Sequence, residues 1–492
     1  DGSGYVKDAY NHIFVLPIDG GYARQLTKGN INHSGQFSWS PDGGSIVFSA
    51  NRHKNATYEP ANSEIYEINV GTGDIKALTE RKGPDSNPTF SPDGKWIAYT
   101  GYDEQYLGYQ VSKLYVMERS GANSRLVSGD LDRGVSNINW STDGKGLYFQ
   151  YDDEGHTKIA WMDLKGKHTD LANEVGGLSL GRPYGGGTYT VSKNGRYAFT
   201  LTAPEHPADL AVGEKGQAAR RLTHVNKDLF AHKELGEVEE IWYTSSYDKR
   251  KVQGWICKPP NFDPAKKYPL LLEIHGGPFS NYGWRFSAEV QLYAAAGYVV
   301  LYTNPRGSTS YGAEFGNLIH HNYPGQDYDD LISGVDAVID KGYIDEDQLY
   351  VTGGSGGGVL TAWIVGNTDR FRAAVVAKPV INWTSFVLHA DNPAFFYKYW
   401  FPGLPWEEQE NYYKRSPLSL AGNVKTPTML LTGEQDYRTP MSETEQYYAA
   451  LKLNKVESAM VRIQSSGHGI ASKPSNLINK VAYILAWFEK YK

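Results

Sequence analysis

A repeat of about fifty residues limits the folds that the first half of the chain can adopt. Trp-Ser-Pro-Asp-Gly at residues 39–43 recurs as Phe-Ser-Pro-Asp-Gly at 90–94, as Trp-Ser-Thr-Asp-Gly at 140–144, and less closely as Val-Ser-Lys-Asn-Gly at 191–195. An alternating apolar segment follows each turn, and further strand-like segments lie between the turns. Several strands in each unit of about fifty residues predict the blades of a β-propeller.

The aspartates of these turns, Asp42, Asp93 and Asp143, are interpreted as structural residues. Pro-Asp-Gly and Thr-Asp-Gly supply the positive-φ residue that closes a tight hairpin. An acid that recurs at the same turn position in each unit is therefore not a candidate for catalysis. The repeat predicts four to five blades, and the first repeat unit is expected to be only part of a blade.

Composition and charge exclude several classes of protein. A length of 492 residues exceeds the usual size of one hydrophobic core. The net charge of −6 and the lack of a basic block argue against nucleic acid or an anionic membrane as a partner. The single cysteine, Cys257, cannot form an intrachain disulfide or a cysteine-based metal site. No apolar run is long enough to span a bilayer, and the sequence leaves cytoplasmic, periplasmic and secreted locations open.

The pattern changes near residues 235–245. We place there the boundary between a propeller domain, residues 1–238, and a second domain, residues 239–492. Short apolar strands then alternate with helical segments, which predicts the mostly parallel sheet and the order of elements of an α/β hydrolase. The predicted strands are 270–274, 298–302, 349–351, 373–376, 428–431 and 459–463, and the main predicted helices are 328–341, 359–367, 442–453 and 477–491.

A strand, a glycine-rich turn and a helix follow one another in the second domain. The strand at 349–351 leads into Gly-Gly-Ser-Gly-Gly at 353–357, and a helix-compatible segment follows. Gly-x-Ser-x-Gly in this context indicates a nucleophile elbow that exposes Ser355 on a strained turn. Gly353 and Gly357 occupy the two positions that tolerate no side chain. The alternative is a glycine-rich loop with a bystander serine.

Two later loops supply candidate partners for this serine. A serine hydroxyl becomes a nucleophile when an imidazole takes its proton and a carboxylate holds that imidazole. Asp436 follows the predicted strand 428–431, and His468 follows the strand 459–463, which is the order Ser, acid, His of α/β hydrolases. Glu434 is a rival acid, Asp436 could instead cap a turn, and His468 could be a solvated loop residue.

A glycine pair after the first predicted parallel strand supplies a candidate oxyanion hole. Such a hole needs backbone N–H donors where negative charge develops. Gly356, directly after the serine, is one candidate donor, and Gly277 in the loop after strand 270–274 is the other. The alternative is a plain Gly-Gly-Pro turn. His275 in this loop is interpreted as an orienting or packing residue and not as a second base.

Taken together, these motifs resemble the prolyl oligopeptidase family of serine peptidases, in particular its acylaminoacyl-peptidase and dipeptidyl-peptidase-like members. The matching stretches are His-Gly-Gly-Pro at 275–278, Asn-Pro-Arg-Gly-Ser-Thr-Ser-Tyr-Gly at 304–312, the elbow at 353–357, Asp-Tyr-Arg-Thr-Pro at 436–440 and Gly-His-Gly-Ile at 467–470. The repeat likewise resembles TolB-like and prolyl-oligopeptidase-like propellers.

The resemblance implies roles for individual residues. Ser355, Asp436 and His468 would form the catalytic triad, and Gly277 and Gly356 the oxyanion hole. Many members carry Tyr directly after the nucleophile, whereas this chain carries Gly356, so the acyl pocket is expected to differ in shape. Related propellers close with about seven blades, so we expect about one hundred or more residues upstream in the native chain.

An aromatic-rich insertion at residues 379–413 is the predicted substrate side. By family position, Val380, Trp383, Phe395 and Phe396 would line an apolar P1 pocket, where P1 is the residue before the cleaved bond. The alternative is that they only pack the insertion onto the sheet. The propeller acids Glu59, Glu64, Asp103 and Glu104 are candidates to hold a free substrate amine.

The leading hypothesis is a serine peptidase that cleaves short peptides, of aminopeptidase, dipeptidyl-peptidase or acylaminoacyl-peptidase type. It uses an acyl-enzyme route and neither a metal nor an organic cofactor. The alternatives are an esterase or lipase on the same fold and an inactive binding scaffold. The sequence leaves open a homo-oligomer or association with a missing N-terminal segment.

Overall fold

The computed structural model describes residues 9–492, which form a set of propeller-like antiparallel sheets followed by one large mixed sheet with helices on both faces. The strands of the first part are β1 (Phe14–Val15), β2 (Arg24–Gln25), β3 (Phe37–Trp39), β4 (Ser45–Ala50), β5 (Glu64–Asn69), β6 (Ile75–Ala77), β7 (Asp85–Phe90), β8 (Trp96–Gly101), β9 (Lys113–Glu118), β10 (Arg125–Leu126), β11 (Ser136–Trp140), β12 (Gly146–Asp153), β13 (His156–Asp163), β14 (His168–Val175), β15 (Tyr189–Val191), β16 (Tyr197–Ala203), β17 (His206–Gly213) and β18 (Arg220–Arg221).

These strands form four four-stranded units and one two-stranded unit. Strands β3 to β6, β7 to β10, β11 to β14 and β15 to β18 each pair in sequence order as antiparallel meanders, and within residues 9–492 β1 pairs only with β2. A single bridge, Val175 with Leu201, joins the third and fourth units into one sheet. The prediction of four to five blades is confirmed, and the boundaries of the units follow the repeat.

The recurring turn has the same hydrogen bonds in each unit. The hydroxyls of Ser40, Ser91 and Ser141 each donate to the aspartate two residues later, at 2.6–2.7 Å, and Ser192 donates to Asn194 at 2.6 Å. Each of these acidic or amide side chains also accepts a backbone N–H two residues further on. The turn aspartates therefore hold the hairpins between the first and second strands of the units, as expected for structural residues.

The second part begins with a hairpin and continues as a mostly parallel sheet. Its strands are β19 (Val238–Thr244), β20 (Lys251–Cys257), β21 (Tyr268–Ile274), β22 (Val299–Asn304), β23 (Ile344–Gly354), β24 (Ala373–Ala377), β25 (Thr428–Gly433) and β26 (Ser458–Ile463). They lie in the order β19-β20-β22-β21-β23-β24-β25-β26, with parallel pairing from β22 to β26. The predicted mostly parallel sheet is confirmed, and we keep residue 238 as the proposed domain boundary.

Helices cover both faces of this sheet. The α-helices of the described residues are α1 (Lys227–Phe230), α2 (Ala288–Ala295), α3 (Ala313–Asn317), α4 (Asp327–Ile339), α5 (Gly356–Asn367), α6 (Trp383–His389), α7 (Pro393–Trp400), α8 (Gln409–Arg415), α9 (Met441–Leu453) and α10 (Pro474–Glu489). Apolar side chains of α4, α5 and α9 form one core with the sheet, and those of α2 and α10 form the other. The buried faces account for the near-continuous apolar runs of the parallel strands. No helix within residues 9–492 combines the length and apolar character needed to cross a bilayer.

Loops of the third and fourth propeller units contact the second domain directly. The tip of the β12–β13 hairpin donates backbone N–H groups to Ser310, from Glu154 at 3.0 Å and from Gly155 at 2.9 Å. Arg182, in the loop before β15, forms buried ion pairs with Glu273 of β21 at 2.7 Å and with Glu289 of α2 at 3.3 Å. The propeller is thus joined to the sheet by ion pairs that are buried from solvent.

The turn serines generate a stability prediction. Ser141 is buried, and its hydroxyl accepts the N–H of Gly146 at 3.1 Å while it donates within the turn. We expect Ser141→Ala to lower the free energy of unfolding of the propeller by about 1–3 kcal/mol, because a buried N–H loses its partner. The exposed equivalent, Ser192→Ala, is the matched control. Equal melting temperatures of the two variants by calorimetry would contradict the prediction.

Candidate active site

Ser355 lies on a strained turn at the carboxyl end of β23. It is the only residue between β23 and α5, and its backbone has φ 60° and ψ −122°. A positive φ in a residue other than glycine is uncommon and marks strain. The N–H of Ser355 donates to the carbonyl of Ala377, the last residue of β24, at 3.1 Å. This is the strand, sharp turn and helix of a nucleophile elbow.

Two glycines permit this turn because their backbones lie against other backbones. A Cβ atom on Gly353 would stand 2.4 Å from the carbonyl oxygen of Gly357. A Cβ on Gly357 would stand 2.2 Å from the carbonyl oxygen of Ile274 in β21. These contacts leave no space for a side chain, in agreement with the positions expected to be obligatory glycines.

The structure brings Ser355, His468 and Asp436 together. Ser355 Oγ is 3.1 Å from His468 Nε2, and His468 Nδ1 is 2.8 Å from Asp436 Oδ2. The three residues follow β23, β26 and β25, whose carboxyl ends lie at the same edge of the parallel sheet. The chain of contacts, hydroxyl to imidazole to carboxylate, is the arrangement that activates a serine nucleophile.

The carboxylate of Asp436 is fixed by its own loop. Its Oδ1 accepts the N–H groups of Arg438 at 3.0 Å and Thr439 at 2.9 Å, and its Oδ2 lies 3.1 Å from the Thr439 hydroxyl oxygen. The rival acid, Glu434, lies instead 3.8 Å from Arg462 and is partly exposed. Thr439 was not singled out from the sequence, although its place three residues after the acid is typical of a side chain that completes an Asx turn.

The charge states of the pair suit proton transfer to the imidazole. Burial raises the pKa of the Asp436 carboxyl, but the hydrogen bond and charge of His468 and the N–H of Thr439 outweigh burial, and the net shift is downward. Burial lowers the pKa of His468, the charge of Lys378 lowers it further, and the hydrogen bond to Asp436 opposes both. The net effect is a pKa of His468 below its usual value of 6.5. The imidazole is therefore neutral at neutral pH and able to accept a proton.

The two candidate oxyanion donors lie side by side next to the serine. Gly356 is the first residue of α5, where the N–H group has no partner within the helix. A Cβ on Gly356 would stand 3.1 Å from the nitrogen of Gly277. A third residue, Tyr323, was not singled out from the sequence; its hydroxyl donates to the carbonyl of Gly356 at 2.8 Å. The two glycines therefore lie close together beside Ser355, as two donors of one oxyanion hole must.

An aromatic cavity of about 450 Å³ opens beside Ser355. The candidate triad residues Ser355 and His468 and both candidate oxyanion glycines line this cavity. All four predicted pocket residues line it as well: Val380, Trp383, Phe395 and Phe396. The wall also includes residues that were not predicted: Tyr323, Val359, Phe386, Asn392, Trp400, Arg438 and Thr439. The insertion thus packs on the sheet and presents its rings to the cavity at the same time.

Short helices hold the cavity wall in place. Trp383 begins α6, is buried, and donates its indole N–H to the carbonyl of Arg415 at 2.8 Å. Its ring lies against Trp400 at the end of α7, with 5.7 Å between the ring centroids. Tertiary packing of this kind cannot be identified from the spacing of aromatic residues alone.

One cation lies in the apolar wall. Arg438 donates through Nε to Asp391 Oδ1 at 2.7 Å, and its guanidinium stands over the ring of Phe396 at 5.7 Å. Burial lowers the pKa of Arg438, and Asp436 opposes that shift. A guanidinium held in this way can donate hydrogen bonds to a bound peptide carbonyl.

The four propeller acids have different positions. Glu59 accepts a hydrogen bond from the Lys398 ammonium at 2.6 Å, and Glu104 accepts one from the Tyr399 hydroxyl at 2.6 Å. Both acids therefore contact the cavity helix α7. Glu64 lies inside its blade and accepts the Thr79 hydroxyl at 2.6 Å, and burial raises its pKa to about 7. The side chain of Asp103 is 75% exposed. Sequence reasoning could not make this distinction because it depends on the contact between the domains.

His275 is buried between two hydrogen-bonding groups. Its Nδ1 lies 2.7 Å from the carbonyl of Gly276 and its Nε2 lies 2.9 Å from the Ser308 hydroxyl. Burial lowers the pKa of this imidazole to about 4. These contacts agree with an orienting or packing role in the loop that carries Gly277.

Comparisons with known proteins agree with the observed fold. A family model described as the prolyl oligopeptidase family matches residues 284–492, and a model of the dipeptidyl peptidase IV N-terminal region matches residues 3–105. The uncharacterised peptidase YuxL of Bacillus subtilis is 33% identical over 579 aligned positions, which cover 97% of this chain and 86% of that protein. The aligned region is longer than this chain of 492 residues. The relative therefore has segments within the aligned region that this chain lacks.

Other relatives and structures cover nearly the whole chain. Dipeptidyl-peptidase 5 of Porphyromonas gingivalis is 28% identical over 469 residues, which are 92% of this chain and 66% of that protein. The chain thus spans slightly less than two thirds of that relative. The acylaminoacyl peptidase of Pyrococcus horikoshii superposes with a TM-score of 0.82 at 25% identity, covering 96% of this chain and 72% of that structure.

The packing of the elbow leads to a stability prediction that can be tested without a substrate. We expect Gly357→Ala to lower the melting temperature strongly, because the new methyl group meets the fixed backbone carbonyl of Ile274. The matched control is Gly422→Ala, where the methyl group enters open space. Thermal melts of the two variants test this, and a Gly357→Ala protein as stable as the control would show that the elbow tolerates a side chain.

Proposed function

The chain belongs to the prolyl oligopeptidase family of serine peptidases, and from this premise we propose that Ser355, His468 and Asp436 are its catalytic triad in the cleavage of short peptides. The observation that carries the proposal is the unbroken contact from Ser355 Oγ to His468 Nε2 at 3.1 Å and from His468 Nδ1 to Asp436 at 2.8 Å, at the mouth of an aromatic cavity.

The proposed reaction has two halves. Ser355 Oγ attacks the carbonyl carbon of the substrate while its proton passes to His468 Nε2, and a tetrahedral intermediate forms. His468 gives that proton to the leaving amine as the C–N bond breaks, which leaves an ester on Ser355. A water molecule that loses its proton to His468 then attacks the ester, releases the carboxylic acid and restores the serine. Asp436 stays ionised and stabilises the imidazolium in both halves.

The backbone N–H groups of Gly277 and Gly356 are proposed to bind the oxygen that becomes negative in the tetrahedral intermediate. Their nitrogens belong to the loop after β21 and to the first position of α5, which are held close to each other beside Ser355. Fixed backbone donors need little reorganisation as the charge develops, which is why they lower the barrier of acyl transfer.

The cavity favours an apolar residue at P1. Its wall is formed mainly by Val380, by the rings of Trp383, Phe386, Phe395, Phe396 and Trp400, and by few polar groups. Burial of an apolar side chain in such a cavity is favourable by roughly 25 cal/mol for each Å² removed from water. Arg438, at the rim of these rings, is proposed to donate to a carbonyl of the bound peptide.

Within this peptidase class we propose the dipeptidyl-peptidase type. Relatives named dipeptidyl-peptidase 5 align over 83–93% of the chain at 26–28% identity. The propeller presents two carboxylates to the cavity helix α7, Glu59 paired with Lys398 and Glu104 bonded to Tyr399, and we propose that they accept the free amine of a short peptide. The structural likeness to an acylaminoacyl peptidase makes a blocked amine the competing outcome.

The substrate class is tested with matched anilides that share one apolar P1 residue. We expect a dipeptidyl anilide with a free N-terminus to be cleaved at least about tenfold more efficiently than its N-acyl form or an N-acyl-aminoacyl anilide, because a hydrogen-bonded ammonium loses its partners on acylation. Measured kcat/KM values decide this. A preference for the N-acylated substrates would replace the dipeptidyl type by the acylaminoacyl type.

The nucleophile is tested by covalent labelling. We expect a fluorophosphonate to label Ser355 in the native enzyme, and Ser355→Ala to lose both labelling and anilide cleavage while its melting temperature stays near that of the native enzyme. Mass spectrometry of the labelled peptide identifies the serine. Cleavage that survives in a folded Ser355→Ala protein would refute the assignment, and turnover of p-nitrophenyl esters without that of any anilide would favour an esterase.

The pocket is tested on helix α7. Phe395 lines the cavity, whereas Tyr397 on the same helix does not. We expect Phe395→Ala to lower kcat/KM about tenfold or more for a substrate with Phe at P1 and less for one with Ala at P1, because part of the apolar contact is lost. Tyr397→Ala is the matched control. Equal losses for both substrates, or for both variants, would contradict the assigned P1 pocket.

A further inference from the structure

Lys378 lies at the point where the three loops of the triad meet. It follows directly after β24, and its backbone has a φ of 39°, which is uncommon for a lysine. The preceding residue, Ala377, accepts the N–H of Ser355 at 3.1 Å. The sequence did not single out this lysine, because it belongs to none of the motifs.

The backbone of Lys378 is bonded to the strand and the loop that carry the acid. Its N–H donates to the carbonyl of Leu431 in β25 at 2.7 Å. Its carbonyl accepts the hydroxyl of Thr439 at 3.0 Å, and the same hydroxyl contacts Asp436 Oδ2 at 3.1 Å. A displacement of Lys378 would therefore be transmitted to Asp436 through a single side chain.

The side chain of Lys378 reaches the loop that carries the base. Its Nζ donates to the backbone carbonyl of His468 at 2.7 Å. On the way its Cε passes the elbow, since a Cβ atom built on Gly354 would stand 3.2 Å from it. One residue thus contacts the His468 loop, the Asp436 loop and the residue next to the nucleophile.

Charged groups face this ammonium from several elements. Arg182 of the propeller loop, Lys480 of α10 and Glu289 of α2 line with Lys378 a second cavity, of about 420 Å³, behind the histidine loop. Asp436 and Arg438 flank the imidazole from the loop after β25. Burial, Arg182 and Lys480 lower the pKa of Lys378 to about 7, and Asp436 and Glu289 oppose that shift.

We propose that Lys378 is a positioning residue that holds the His468 loop in register with the Asp436 loop and the nucleophile elbow. The inference rests on the proposed triad and assigns it one further member that does not touch substrate. A buried ammonium needs a hydrogen-bond acceptor, and the acceptor that Lys378 uses is the backbone carbonyl of the proposed catalytic base.

The position of Lys378 also has an electrostatic consequence. A cation near the imidazole disfavours imidazolium, so the charge of Lys378 lowers the pKa of His468. His468 therefore stays neutral, and able to accept the serine proton, to a lower pH than it otherwise would. Removal of the charge raises the pKa of His468, so the fall of activity on acidification begins at a higher pH.

Three substitutions separate the hydrogen bond from the charge. Lys378→Met removes both, Lys378→Gln keeps a donor without the charge, and Lys378→Arg keeps both. Lys480→Met is the matched control, because it removes a neighbouring buried cation whose ammonium donates to Glu289 and not to the carbonyl of His468. The readout is the second-order rate of fluorophosphonate labelling of Ser355 from pH 5 to 9, with melting temperature as the measure of folding.

We expect Lys378→Met to lower the pH-independent labelling rate roughly tenfold to a hundredfold, since a displaced imidazole loses alignment with the hydroxyl. The acid limb is the part of the pH profile in which the labelling rate falls on acidification. We expect both Lys378→Met and Lys378→Gln to move this limb to higher pH by about half a unit. Lys378→Arg should keep the acid limb near the native position, and Lys480→Met should keep the native plateau.

Identical plateaus and pH profiles for Lys378→Met and Lys480→Met would overturn the inference. If Lys378→Met does not fold, Lys378→Gln decides, and a folded Gln variant with the native acid limb overturns the electrostatic role. The test of Lys378 does not depend on the test of the proposed substrate class, because fluorophosphonate labelling needs no peptide substrate. Native protein that labels at Ser355 but cleaves no anilide refutes the peptidase substrates and leaves the lysine series readable.

Discussion

The close approach of backbones at the end of β23 is the constraint on which the site depends. Gly357 lies against the carbonyl of Ile274, and Gly353 lies against Gly357, so that α5 starts directly above the sheet. Ser355 is held between them with a positive φ that only the surrounding hydrogen bonds and packing can maintain. The same contact brings the loop after β21, with Gly277, beside Gly356. The proposed nucleophile and the proposed oxyanion donors therefore both depend on one packing arrangement.

Buried charge connects this site to the propeller. Arg182 from the propeller pairs with Glu273 of β21 and Glu289 of α2, and Lys480 of α10 pairs with Glu289 at 2.5 Å. The attraction between buried charges seldom exceeds the free energy that their dehydration costs, but the loss of one partner leaves the others uncompensated. These ion pairs thus fix where the propeller sits more than they add to stability, and they set the potential around Lys378 and the histidine loop.

Much of the fold could be predicted from local patterns, and so could the residues of the proposed triad. The recurring Ser-Asp turns located the blades because each turn uses only residues within five positions of one another. Ser355, Asp436 and His468 could be proposed because each follows a buried strand, and parallel strands end at one edge of the sheet. Tyr323, Arg438 and Lys378 could not, since their roles depend on contacts across 33 to 90 positions of sequence or on the shape of the cavity.

The sequence by itself determined the order of the parallel strands and of the four main helices, the glycine positions of the elbow and the three residues of the proposed triad, because periodicity and turn chemistry are local properties of a chain. Tertiary structure decided which of four propeller acids contact the cavity helix, which rings of the insertion face Ser355, and that a lysine outside every motif bridges three loops. Those features arise where distant segments pack together, and no local pattern encodes the distance between them.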